Sequence, residues 1–429
     1  MNFELRENKA IKEKYYYKKH SNGLDIYVIP KKMSTSYALF ATKFGSIDSV
    51  FSVNGKTVRV PDGTAHFLEH KMFENEDGTD TFARYAKTGA SANAYTTFER
   101  TCYLFSATDN VYESLEILLD FVTHPYYTKE TVNKEQGIIG QEIRMYDDNP
   151  SWQLYFGMLT GLYTNNPVRI DTAGTTETIA EITPEILYDT YKAFYNPSNM
   201  ALCICGDVEC DKVEEVCDKV LQKTEIPEVK RFYPEEPRGR YKEFVSKRLE
   251  VALPMFAVGI KDNDVPKSGE ELAIKQIKYE LLLEMMFGKS SKFFNKCYNE
   301  GIIDSSFSCE YEASEFFAHC GISGASNEPE KVYALIKAEI AEYKKNGLDR
   351  NVFERLKRAK YADSLRVFNS TEDIANDFLV CVFSDFDMLK YPETIEKVTF
   401  EETEELLKNE FDENDFVLST IYPMENKAD

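Results

Sequence analysis

Two of the five histidines in this 429-residue chain, His66 and His70, stand one helical turn apart in AHFLEHKMFEN, which begins at Ala65. At 100° per residue their imidazoles project about 40° apart and can converge on one point, with Glu69 about 60° to the other side of His66. The arrangement suits a hydrolytic zinc site, which takes three protein ligands and keeps a position for water, the ordinary alternative being a pair of surface or core histidines. A carboxylate beside that water can accept its proton and later pass it to a leaving amine. His66 and His70 are therefore candidate metal ligands, and Glu69 is a candidate general base.

A third ligand must come from elsewhere. NKEQGIIGQEIRMYDD supplies Glu135 and Glu142, seven apart and within about 20° on one helical face. Either could reach a metal, and in a chain with 73 acidic residues a solvated acidic stripe is the ordinary alternative. Gly137 and Gly140 fall on the opposite face of that helix and cost it about 1 kcal/mol each relative to alanine. Their presence predicts an element packed closely against that back face.

The elements that must carry these residues follow from periodicity. HSNGLDIYVIPKK has an Asn22-Gly23 turn feeding an alternating strand, and SYALFATKFGS reads as the next strand. Helical spacing marks GTAHFLEHKMFEN, TFARYAKTG, VYESLEILLDFVTHP and KETVNKEQGIIGQEIRMYDD, with the strand-like SANAYTTFERTCYLFSATD between the second and third. TPEILYDTYKAFY then leads through NPSN into the strand MALCICGDV. From about Lys219 to Arg248 periodicity fails around Pro227, Pro234 and Pro237. Beyond it the order recurs: the strand MFAVGIKD, a long helix through ELAIKQIKYELLLEMMFG, a strand pair near SSFSCEYEASEFFAHCGISGAS, two helical stretches, and a closing helix, turn and strand. The expected fold is α+β, with two similar domains of duplicated build, each a mostly antiparallel sheet with helices packed on one face. They are placed at residues 1–225 and 249–429, joined by a linker at 226–248.

Composition narrows the function classes. A formal charge of −22 repels phosphate backbones and anionic lipid, which makes nucleic acid and membrane surfaces poor partner candidates, and neither is expected. MNFELRENKAIKEKYYYKKH lacks the apolar stretch of a secretory signal, and no apolar run approaches the roughly 18 residues of a membrane span, so a cytoplasmic location is expected. The nine cysteines are scattered without a C-x-x-C pair, which argues against a disulfide framework or zinc ribbon. Cys203 and Cys205 share one strand face and read as core thiols.

The pieces NGLDIYVIP, KFGSIDS, GTAHFLEHKMFE, GASANAYTTFERTCY, KEQGIIGQE, AGTTETIAEIT and YNPSNMALCICGDV stand in the order found in the pitrilysin/insulinase family of zinc peptidases. H-x-x-E-H is that family's inverzincin signature, and the chain resembles the family almost end to end. The resemblance implies one Zn2+ per chain, with His66 and His70 as the first two ligands and Glu142 as the distal ligand. It makes Glu69 the general base and Glu135 an acid supporting the site. It also implies that Asn93, Ala94 and Tyr95 form an edge strand to which an extended peptide substrate adds through its backbone.

The second half departs from the family pattern in one place. Active relatives carry an Arg and a Tyr seven apart that stabilise the oxyanion. In GKSSKFFNKCYNEGIIDSSFS the glycine-rich lead-in is kept as Gly288 to Ser291, while Cys297 and Asp304 occupy the two positions. The chain is thus similar to the zinc-bearing half of short cytosolic bacterial members grouped with elongation factor P aminopentanol modification. In these a heterodimer with a homologous half-length subunit supplies the Arg/Tyr pair. A homodimer using Lys292, Lys296 or Tyr298 and a non-catalytic scaffold subunit are the alternatives.

Overall fold

The computed structural model describes residues 3–265 and 268–425. The first half runs β1 (Glu4–Asn8), β2 (Glu13–Lys19), β3 (Asp25–Pro30), β4 (Ser36–Thr42), β5 (Val50–Val53), β6 (Lys56–Arg59), α1 (Thr64–Lys71), α2 (Thr81–Thr88), β7 (Ser91–Thr96), β8 (Thr101–Ala107), α3 (Val111–Thr123), α4 (Lys129–Asp147), α5 (Pro150–Leu162), α6 (Thr176–Ile179), α7 (Pro184–Phe194), β9 (Met200–Gly206) and α8 (Cys210–Val220). The second half runs β10 (Val229–Arg231), β11 (Phe244–Leu249), β12 (Met255–Lys261), α9 (Glu270–Phe287), α10 (Lys292–Asn299), β13 (Ser308–Ala313), β14 (Ala318–Ala325), α11 (Pro329–Asn346), α12 (Arg350–Arg366), α13 (Thr371–Phe383), α14 (Tyr391–Lys397), α15 (Phe400–Asn409) and β15 (Phe416–Pro423).

The duplication is visible in strand order. Sheet one is β1-β2-β3-β9-β4-β8-β7 and sheet two is β11-β15-β12-β14-β13. Setting β3, β9, β4, β8 and β7 against β11, β15, β12, β14 and β13 matches the second sheet strand for strand. In each, the strands that come first and last along the chain are neighbours and pair in parallel, β3 with β9 and β11 with β15. All other neighbours are antiparallel.

The turn at Asn22-Gly23 joins β2 to β3, with Gly23 at φ 104° as such a turn requires. Cys203 and Cys205 are fully buried on β9. Residues 226–248 hold β10, which pairs with β5, and most of β11, which pairs with β15, so this stretch is hydrogen-bonded to both halves. Its exposed, charged side chains conceal the strands from periodicity. Where two helical stretches were expected after the strand pair, the structure has four, α11 to α14. Asp349 and Ser370 cap two of the restarts, through Asn351 and Val352 for α12 and through Asp373 for α13.

Each half also lends a helix to the other's sheet. Helices α1, α3 and α7 share a core with one face of sheet one, and Ile374, Ala375, Phe378 and Leu379 of α13 cover its other face. Helix α5, from the first half, lies on β11, β12 and β15 of sheet two. Its Gly157 and Gly161 permit the approach: a Cβ on Gly157 would stand 2.5 Å from Ser419 Oγ, and one on Gly161 would overlap the Val417 side chain. No helix among the described residues is long and apolar enough to cross a membrane.

Candidate metal centre

Phe67 and Leu68 are fully buried on the core side of α1, which turns His66, Glu69 and His70 toward the face shared with β7 and α4. The imidazole centroids lie 4.6 Å apart at 62°. Helix α4 begins at a capping box on Thr128 and seats Val132, Ile139 and Ile143 in the core, so its acidic face meets α1. Glu142 reaches both imidazoles, with Oε1 3.7 Å from His66 Nε2 and Oε2 3.5 Å from His70 Nε2. Tetrahedral zinc with donors at about 2.0–2.1 Å requires donor separations near 3.3 Å; the two carboxylate–imidazole separations are close to that, and the ligand atoms of all three residues lie within 4.8 Å of one another, so this donor set suits such an ion. Among the described residues no other group of three His, Cys, Asp or Glu side chains converges this way.

The surrounding groups bear on the fit. His70 Nδ1 donates to Glu135 Oε1 at 2.9 Å, which leaves Nε2 as the free lone pair. Burial alone would lower the His70 pKa, but the Glu135 hydrogen bond and the charges of Glu69, Glu135 and Glu142 together raise it. Burial, reinforced by His70, pushes His66 down to about 4. Its ring is therefore neutral near pH 7, as a ligand must be. His66 Nδ1 is buried without a hydrogen-bond partner, so this ring engages polar groups only through its Nε2 side.

Glu69 lies beside this group. Thr96 Oγ1, at the end of β7, donates to Glu69 Oε2 at 2.6 Å. Burial raises the Glu69 carboxyl above its ordinary range, with the Thr96 hydrogen bond and His70 pulling down and Glu142 pushing up. A desolvated carboxylate with one oxygen held and the other available is suited to proton transfer.

Strand β7 is one of the two edge strands of sheet one, and Asn93, Ala94 and Tyr95 lie on it. Asn93 Oδ1 accepts the Ala94 N–H at 2.9 Å, occupying a backbone donor at that edge. Tyr95 donates its hydroxyl to Asn376 of α13 at 2.9 Å.

Other expected residues fall elsewhere. Cys297 is buried on α10 within the second core, and Asp304 is exposed, accepting the Ser306 N–H at 2.9 Å. Lys292, Lys296 and Tyr298 are also on α10. The packing expected behind α4 is met only in part: Gly140 is buried, with Thr176 of α6 and Arg144 at an ordinary 3.9 Å, while Gly137 faces open space. Two further groups belong to the site beyond those the sequence indicates: Thr96, two residues after Ala94 on β7, which holds Glu69, and Tyr146, one turn after Glu142, which donates to Glu142 Oε1 at 2.6 Å.

Comparison with known proteins agrees with this geometry. A profile described as Insulinase (Peptidase family M16) matches residues 59–176, and one described as Peptidase M16 inactive domain matches residues 181–360. The chain is 41% identical to an uncharacterized zinc protease of Bacillus subtilis, YmfH, over 97% of this chain and 98% of that one. It superposes on the crystal structure of a putative M16-like peptidase from Alicyclobacillus acidocaldarius with TM-score 0.92 and 33% identity, covering 99% of each chain. A protease from Helicobacter pylori shares the fold at TM-score 0.81 and 21% identity, over 96% of this chain and 100% of that one.

Proposed function

This chain belongs to the insulinase family of zinc peptidases, family M16, and on that premise we propose that it is a zinc-dependent endopeptidase subunit acting on extended peptides. The observation that carries the reading is the convergence of His66, His70 and Glu142 with Glu69 alongside, its Oε2 held by Thr96.

His66, His70 and Glu142 would hold the ion, and Glu135 orients His70 by fixing which ring nitrogen carries the proton. When bound, zinc supplies Lewis acidity, polarising the scissile carbonyl and acidifying the attacking water. Glu69 takes the proton of that water on its free oxygen and delivers it to the departing amine. The peptide adds alongside β7, where Asn93 releases the Ala94 N–H to a substrate carbonyl, and backbone pairing of this kind gives affinity with loose sequence preference.

Oxyanion stabilisation is the part this chain does not supply from the expected positions. A thiol and an acid cannot replace a guanidinium and a phenol, and the loss of one such donor costs about 3–4 kcal/mol in the transition state. We therefore assign those donors to a homologous half-length partner closing over the site as a clamshell. A homodimer drawing on α10 is the lesser version. Free thiols throughout support a reducing, cytosolic setting. The likeness to members grouped with elongation factor P modification specifies no substrate.

The second reading, a non-catalytic binding subunit, draws on the burial of Cys297 and the turn formed by Asp304. The test is hydrolysis of a broad peptide library by the zinc-loaded chain together with its co-purifying partner. Cleavage that is lost in Glu69→Gln while zinc is retained supports the peptidase. An uncut library with Glu69→Gln indistinguishable from wild type removes it in favour of the scaffold.

A further inference from the structure

The ligand Glu142 is itself held by a chain of groups that reaches the second half of the molecule. Tyr146, four residues later on the same face of α4, donates its hydroxyl to Glu142 Oε1 at 2.6 Å. Its ring stacks on Trp152, centroids 4.5 Å apart at 16°, and Trp152 is the chain's single tryptophan. Trp152 Nε1 donates to Asp171 Oδ2, while Asp171 Oδ1 accepts the Ala173 N–H at 2.9 Å.

The backbone at this corner is equally fixed. Asn149 caps α5 by accepting from the N–H groups of Ser151 and Trp152, and Gln153 Nε2 donates to the Tyr146 carbonyl at 3.0 Å. Trp152 also leans on Phe156, whose core includes Ala257, Val417 and Ile421 of sheet two.

We propose that Tyr146 is a positioning residue for the metal centre: its hydroxyl fixes the Glu142 carboxylate in the ligating orientation, and Trp152 with Asp171 fixes Tyr146. Glu142 lies on the face of α4 that meets α1 with 22% of its side chain still exposed, and an untethered glutamate there samples several rotamers. Binding a metal would then carry the cost of ordering it. A hydrogen bond to one oxygen removes that freedom beforehand and leaves Oε2, the atom nearest His70, for the ion. The arrangement differs from the Glu135–His70 contact because it acts on the carboxylate ligand, and because its support comes from the helix that α4 hands over to sheet two.

This inference rests on the zinc reading, and the experiment separates the two. Zinc is titrated into the full-length apo chain against a chromophoric chelator while Trp152 emission is followed. Wild type should bind one zinc and alter its tryptophan emission as it does so. Tyr146→Phe keeps the ring and its stacking but lacks the hydroxyl, so a purely structural role predicts no change. The proposal predicts a ten- to hundredfold weaker zinc affinity, typical of losing a group that orients a ligand, with the apo melting curve unmoved. It also predicts that Trp152→Phe, which stacks without the N–H, falls between the two in affinity. Wild-type affinity in Tyr146→Phe, with zinc still lost in His70→Ala, overturns the proposal and leaves the zinc site intact. Failure of wild type to bind zinc overturns both.

Discussion

The three residues of the H-x-x-E-H stretch could be read directly because their geometry is local: one helical turn fixes how His66, Glu69 and His70 project, and α1 realises it. Glu142 was different. Periodicity left it level with Glu135, and only the resemblance chose between them. In three dimensions Glu142 faces both Nε2 atoms while Glu135 takes His70 Nδ1. Thr96 was hidden because its partner Glu69 is 27 positions away in sequence, a distance no local pattern spans. The roles can be separated by chemistry. Glu69→Gln keeps the volume and the Thr96 contact but cannot take a proton. It should retain zinc, measured by metal analysis, while kcat falls by about a hundred- to ten-thousandfold. Loss of zinc together with activity would instead mark Glu69 as a structural part of the metal site.

At the scale of elements, β3, β4, β7 to β9 and β12 to β15 and many of the amphipathic helices were apparent, while β1, β5, β6, β10, β11 and helix α5 were not. PSWQLYFGMLTGL contacts its own half on one side and sheet two on the other, so it carries apolar residues nearly all round and shows no clean stripe. The glycines of α4 and α5 invite opposite readings in sequence and structure. Those of α4 suggested close packing, yet Gly137 looks into open space; those of α5, unremarked in sequence, are where backbone approaches closely. Gly161→Ala should therefore overpack against Val417 and lower stability by about 1–3 kcal/mol, read from the urea midpoint, with Val417→Ala in the same chain recovering part of the loss. Gly137→Ala should raise stability by about 0.5–1 kcal/mol through helix propensity alone. Equal effects at the two positions would contradict a tight α5 interface beside an open α4 face.

At the scale of the whole molecule, the duplicated order of strands was legible as a recurring succession of elements, but the exchange of helices between halves was not, since nothing local in α5 or α13 reports which sheet it covers. That exchange places His319 of β14 where the halves meet. Tyr163, just beyond α5, donates to the Ala318 carbonyl at 2.9 Å and lies 3.2 Å from His319 Nδ1, while Glu312 Oε2 stands 3.6 Å from Nε2. Burial pushes His319 down to about 4, against about 6.5 in the unfolded chain. Between those values the unfolded state binds the proton and the folded state does not, so unfolding is favoured as pH falls. The contribution is intact above about pH 6.5, declines through the window and is gone near pH 4, a total of about 3 kcal/mol. Carboxyls raised by burial, such as Glu99 at about 7, act in the opposite direction, so the quantity to measure is the difference between wild type and His319→Gln. Urea unfolding from pH 7 to pH 4.5 should show wild type losing stability relative to the variant. Parallel curves would mean that His319 takes its proton in the folded protein, and that the joint between the halves is wetter than its packing implies.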